Sequence, residues 1–129
     1  MSRVKIAIAG ALGRMGNNLI SSALSNSNVE LVGVFDVKVI DANFITSNNI
    51  PENITTNRED SFDKADIVID FTTPKALFNF TEAAVSNNTG LVIGTTGLDD
   101  SHFNLLKQSS NLTKIFYAPN MSYGVNTFF

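Results

Sequence analysis

The 129-residue sequence contains no cysteine and a single histidine, His102. Without thiols, disulfide cross-links, thiolate zinc centres and a cysteine nucleophile are all excluded. Positive charge is also scarce. Nine Lys and Arg stand against 12 Asp and Glu, a net charge of -3, and this lacks the clustered basic footprint of a nucleic-acid partner. No apolar run approaches the roughly 18 residues of a membrane span. Met1 to Lys5 lead straight into a short β-branched run, too short and too strand-like for a secretory signal. The triplets Asn53-Ile54-Thr55 and Asn79-Phe80-Thr81 fit a glycosylation pattern by chance in an Asn-rich chain. There is no internal repeat and no low-complexity linker. The expectation is a cytoplasmic protein of one domain, long enough to bury roughly two thirds of its unfolded surface without a staple.

What is present alternates between two periods. Val4–Ala9 is rich in β-branched residues and reads as a strand. From Gly13 the period changes, and Met15, Leu19, Ile20, Ala23 and Leu24 fall on one helical face. Val29–Asp36 is a second strand closing on an acid. Val37–Asn57 is irregular and reads as loop with one short strand near Ile54, and a short helix follows at Glu59–Lys64. Ala65–Phe71 is a strongly apolar strand. Pro74 suits a helix start, and that helix buries Ala76, Leu77, Phe80, Ala83 and Ala84. Leu91–Ile93, a helix at Asp100–Ser109 carrying Phe103, Leu105 and Leu106, and the strand Lys114–Ala118 complete the series. This order predicts an α/β fold, a Rossmann-like doubly wound parallel sheet with helices on both faces. Ligands in such sheets sit beyond the carboxyl ends of the strands.

The first such end reads Gly10-Ala11-Leu12-Gly13-Arg14-Met15-Gly16. A diphosphate needs backbone N–H donors and a helix N-terminus with no side chain in the way. Gly10 permits a sharp exit from the strand, Gly13 a close backbone approach, and Gly16 close packing of helix on strand. Leu12 replaces the middle glycine of G-x-G-x-x-G. Two readings therefore stand: a phosphate cradle, or a tight turn that binds nothing. Asp36, ending the second strand, either accepts hydrogen bonds from adenosine ribose hydroxyls or caps a turn. It would repel a 2′-phosphate, whereas Lys38 and Arg14 would attract one, so NAD and NADP both remain open. His102 is expected to be a solvated surface residue, and Phe80 and Phe103 are expected in the core.

Three later strand ends carry further motifs: D-F-T-x-P at Asp70–Pro74, G-T-T-G at Gly94–Gly97, and A-P-N-x-S-x-G-V-N at Ala118–Asn126. With the glycine turn, they resemble the N-terminal domain of dihydrodipicolinate reductase, also called 4-hydroxy-tetrahydrodipicolinate reductase, over the whole chain and in order. The resemblance implies NADH or NADPH as cofactor and a reductase of lysine (diaminopimelate) biosynthesis. It implies a pyrophosphate loop at Gly13, Arg14 and Met15 and an acidic ribose contact at Asp36. Val37 stands where the family often has a basic residue for the 2′-phosphate. Phe71 and Thr72 would line the cofactor groove, Gly94, Thr95 and Thr96 would hold the nicotinamide, and Ala118, Asn120 and Met121 would flank its carboxamide. Taken singly, Thr95-Thr96 also reads as an ordinary turn and Phe71 as core.

The family's catalytic residues, a histidine pair followed by a lysine, have no counterpart here. The resemblance therefore implies that residues 1–129 are the dinucleotide-binding domain, with 119–129 starting the connection to a substrate and tetramerisation domain. Little or no turnover is expected of these residues alone, and they are expected to be monomeric or a non-native dimer, with apolar surface uncovered near Val125, Phe128 and Phe129. Two rivals remain: another nicotinamide-dependent amino-acid dehydrogenase, and a non-catalytic NAD-sensing module.

Overall fold

The computed structural model describes residues 3–118. Five strands, β1 (Val4–Ala9), β2 (Val29–Phe35), β3 (Ile67–Asp70), β4 (Gly90–Ile93) and β5 (Ile115–Tyr117), form one sheet in the order β2-β1-β3-β4-β5. Every pairing is parallel. The helices are α1 (Arg14–Leu24), α2 (Ala42–Ser47), α3 (Arg58–Lys64), α4 (Leu77–Asn87) and α5 (Asp100–Ser109), and a 3-10 turn at Pro74–Ala76 leads into α4.

The alternation in β1 explains the two layers. Ile6 and Ile8 point to one face, where Leu19, Ile20 and Ala23 of α1 meet Leu31, Val34 and Ile69. Ala7 and Ala9 point to the other face, where Phe35, Phe62, Val68, Leu77, Phe80 and Leu106 pack. Phe35, Phe62 and Phe80 form a triangle with centroids 5.8–5.9 Å apart. Each such pair contributes roughly 0.5–1.5 kcal/mol beyond its buried area. The small alanines of β1 leave room for these rings.

The expected short strand near Ile54 is present as a single parallel bridge between Thr55 and Gly33. Val34 N–H donates to Thr55 O and Thr55 N–H to Val32 O. A Cβ on Gly33 would overlap the Ser61 hydroxyl and lie 3.2 Å from Thr55 Cγ2, so α3 and this bridge require a glycine there.

Several expectations need correction. The stretch read as loop contains α2, whose start is capped by the Asp41 carboxylate accepting Phe44 N–H at 2.9 Å. Phe103 is 43% exposed rather than core, with its ring edge-on to Tyr117 at 5.4 Å. His102 is not a solvated surface residue. Its side chain is 12% exposed, its ring stands 5.5 Å from that of Phe78, and its Nδ1 accepts Asp99 N–H at 3.1 Å. The Asp99 carboxylate in turn accepts His102 N–H, which closes a reciprocal cap on α5. The expectations for Val125, Phe128 and Phe129 lie outside the described residues.

Candidate dinucleotide site

Because all five strands run parallel, their carboxyl ends share one edge. The order turns back at β1, with β2 on one side and β3 on the other. Ligands in such sheets bind at this reversal, which falls here at the ends of β1 and β3, at Gly10 and Phe71. The backbone joins these strand ends. Gly10 and Ala11 N–H both donate to Phe35 O, at 3.0 and 3.1 Å, and Phe71 N–H donates to Ala9 O at 3.1 Å. Gly10 has φ +82°, and a Cβ there would lie 3.0 Å from Phe71 O. This position therefore demands glycine for both conformation and space.

Gly16 is demanded by packing. A Cβ on it would overlap Gly10 O and come within 2.8 Å of Ala11 Cα. Gly13 is different. Its φ of -78° and ψ of 170° suit any residue, and a Cβ would meet only Gly10 O, at an ordinary 3.5 Å. It is the exposed N-cap of α1, with no side-chain cap and no acid in the first turn. The helix end is thus left electropositive and without a side-chain acceptor.

Asp36 is half-buried beside this turn. Its Oδ2 accepts Leu12 N–H at 3.0 Å, so the carboxylate braces the glycine loop. Its Oδ1 has only a long 3.4 Å bond from Lys38 N–H and retains acceptor capacity. Asp36 thus braces the turn while keeping one oxygen for a further donor. Arg14 and Lys38 are exposed, while Met15 is half-buried and packs on the core under α1.

Phe71 and Thr72 follow β3. Phe71 is half-buried and packs on the same core as Met15. Thr72 turns back on Asp70, whose Oδ1 accepts both Thr72 N–H at 2.8 Å and Thr72 O–H at 2.6 Å. Gly94 N–H donates to Asp70 O, and Ala118 N–H to Ile93 O, both at 2.8 Å. The ends of β1, β3, β4 and β5 are thereby linked in one row. Gly94 and Thr95 are buried and Thr96 is exposed. Asn120 and Met121 lie outside the described residues.

Three residues not singled out as site residues from the sequence belong to this edge. Asp70 is fully buried. Its carboxyl is held above the usual aspartate range chiefly by burial, against the opposing hydrogen bonds from Thr72. By geometry, however, Asp70 Oδ2 and Thr95 Oγ1 are both buried without a hydrogen-bond partner. Arg58 and Lys75 line a cavity of about 520 Å³ together with Asp36, Val37, Thr72 and Thr73. Neither Arg14 nor Lys38 lines it. Arg58 is engaged by Glu59, 2.8 Å away, and this holds the Glu59 carboxyl below its usual range. A second cavity, of about 900 Å³, opens at the opposite end of the strands beside Val4, Ile67, Gly90 and Lys114 and holds none of the candidate residues.

The chain as a whole matches a known family. The family described as dihydrodipicolinate reductase, N-terminus, matches residues 4–121. The chain belongs to this family. It is 36% identical over 126 residues to the 4-hydroxy-tetrahydrodipicolinate reductase of Pelagibacter ubique, a match covering 98% of this chain and 47% of that protein. The reductase of Sulfurimonas denitrificans is 39% identical over 122 residues, covering 95% of this chain and 46% of its own length. Among solved structures, a dipicolinate-bound dihydrodipicolinate reductase from Paenisporosarcina sp. TG-14 superposes with a TM-score of 0.73 at 31% identity. That match covers 95% of this chain and 49% of the other. The chain thus spans about half the length of the reductases it matches. Structures below 25% identity, such as GenD2 in complex with NAD at 16% and TM-score 0.73, share the fold alone.

Proposed function

We propose that residues 1–129 form the nicotinamide-dinucleotide-binding domain of a 4-hydroxy-tetrahydrodipicolinate reductase of lysine biosynthesis, with 119–129 leading toward the substrate-binding part. The observation that carries this reading is Gly13. The turn's other two glycines are demanded by conformation or packing, whereas Gly13 is not, so its missing side chain serves an approach from outside. A diphosphate fits that role, because the uncapped first turn of α1 offers amide donors and a positive end.

On this reading Gly10, Gly13, Arg14 and Met15 hold the pyrophosphate, and the spare oxygen of Asp36 accepts from a ribose hydroxyl. Phe71 and Thr72 wall the crevice. Gly94, Thr95, Thr96 and Ala118, with Asn120 and Met121, orient the nicotinamide. When bound, NADH or NADPH supplies the hydride that reduces the cyclic dicarboxylate. The chain's own residues contribute orientation and electrostatics, and general-acid and carboxylate-binding groups come from the remaining half of the reductase. The cavity beside Asp36 supports use of both cofactors. Arg58 and Lys75 would draw a 2′-phosphate there, against repulsion from Asp36 and Glu59, while Val37 offers it nothing.

The complete reductase is proposed to be a tetramer assembled through its other half, and this chain a monomer in light scattering. The direct test is NMR with NADH. Amide signals of Gly10, Gly13 and Arg14 should shift on titration, while the chain alone should show no turnover. Unmoved signals in folded material would refute the proposal.

A further inference from the structure

Asp70 ends β3 at the centre of the strand-end row, 0% exposed. Its main-chain oxygen holds Gly94, and Oδ1 holds both the amide and the hydroxyl of Thr72. Oδ2 holds nothing. Thr95, one residue beyond Gly94, is 4% exposed, and its hydroxyl is likewise without a partner. A hydroxyl carries one donor, and an ionised carboxylate oxygen only accepts. The two orphaned atoms are therefore complementary, adjacent and shielded from water. Buried polar groups are rarely left unmatched, and those that are tend to mark functional positions. Catalytic-site hydrogen bonds are often incomplete in the free protein and tighten on ligand binding.

We propose that Asp70 is a positioning residue whose Oδ2 receives the Thr95 hydroxyl when a dinucleotide occupies the crevice. One buried carboxyl then fixes the Thr72 loop and the Gly94–Thr95 loop together. The proposal rests on the cofactor reading above. The loop bearing Thr95 is anchored at Gly94 and turns at Gly97, which has φ +81°. A planar ring seated against Thr95 and Thr96 holds the loop down and completes the bond. Burial already makes the free carboxyl reluctant to ionise, so a donor brought to Oδ2 favours its charged form.

The test is a double-mutant cycle on the 129-residue chain, read by NADH titration calorimetry. Thr95→Val should weaken NADH about tenfold, the scale of one hydrogen bond to a charged group. Thr95→Ser should bind within about twofold of the unmodified chain, because it keeps the hydroxyl. In an Asp70→Ala background, Thr95→Val should add no more than about a twofold loss. A full tenfold loss in that background overturns the proposal. Should Asp70→Ala fail to fold by circular dichroism, carboxyl-¹³C aspartate NMR decides. NADH should move the Asp70 signal in the unmodified chain and not in Thr95→Val, and equal shifts in both overturn the proposal. Absence of any NADH binding by the unmodified chain defeats the cofactor reading and this proposal with it. Binding without coupling defeats this proposal alone.

Discussion

Replacing Gly13 and Gly16 separately by alanine divides function from fold within one turn. At Gly13 the new methyl meets only Gly10 O at 3.5 Å, and the backbone angles already suit alanine. Two small effects then oppose each other. Alanine reduces unfolded-state freedom, stabilising by about 0.4–1 kcal/mol, but it is a poorer N-cap than glycine by roughly 0.5–1 kcal/mol. The net change in stability should stay within about 0.5 kcal/mol, a melting shift of no more than ~3 °C for a domain of this size. At Gly16 the same methyl collides with backbone atoms of Gly10 and Ala11, which cannot rotate away as a side chain would. Overpacking of this kind costs about 1–3 kcal/mol or more, a fall of roughly 4–15 °C. NADH binding should respond in the opposite order among folded variants. Gly13→Ala should lose at least about tenfold, on the order of 1.4 kcal/mol, because its methyl occupies the face an anion must approach. Thermal melts by circular dichroism and NADH calorimetry on both variants supply the comparison. If Gly13→Ala keeps full NADH affinity, or melts as early as Gly16→Ala, the assignment of Gly13 to a ligand is wrong.

Asp36→Ala should weaken NADH about tenfold, the effect of losing a charged hydrogen-bond acceptor. NADPH should weaken less, since its 2′-phosphate gains nothing from that carboxylate; equal losses in calorimetry would limit Asp36 to bracing Leu12. The paired change Arg58→Ala with Lys75→Ala should reduce NADPH affinity more than NADH affinity, and the difference should shrink in high salt. Asp70→Asn keeps an oxygen for Thr72 while removing the ionisable group. Because burial raises the folded carboxyl above its ordinary 3.8, its contribution to stability is full below that pH and is lost as pH rises through the folded value. The Asn variant should therefore gain thermal stability relative to the parent as pH rises above 3.8, and parallel melting curves across pH would contradict this.

Legibility in the sequence followed the range over which each feature is determined. β1 and the glycine turn were readable because the alternation of Ile6 and Ile8 with Ala7 and Ala9 and the spacing of Gly10, Gly13 and Gly16 are local. The turn's two readings could not be separated locally. Whether Gly13 is required depends on what a methyl would touch, and the sequence contains no neighbours in space. α2 was missed because none of its residues is buried, so it shows no apolar stripe, and its start depends on a single Asp41 hydrogen bond. His102 was misplaced for a related reason. A lone polar residue on a polar helix face reads as solvated, whereas the bond from Asp99 N–H and the ring of Phe78 enclose it.

The same limit governs the two features that distinguish this site. Arg58 and Lys75 come from segments far from Asp36 in sequence, and only the packing of α3 and of the turn after β3 beside β2 brings all three to one cavity. Asp70 reads as the polar end of an apolar strand. Its significance lies in having one oxygen satisfied twice and the other not at all. A buried carboxyl held only for strand termination would gain nothing from an unmatched oxygen, because asparagine would keep the Thr72 bonds without the desolvation cost of an ionisable group. Its presence next to a second unmatched group is what a pair completed by a ligand requires. Stability alone would favour its replacement by a neutral asparagine, whereas cofactor binding would favour its retention. An Asp70 variant that is more stable near neutral pH and weaker toward NADH would display both preferences in one protein.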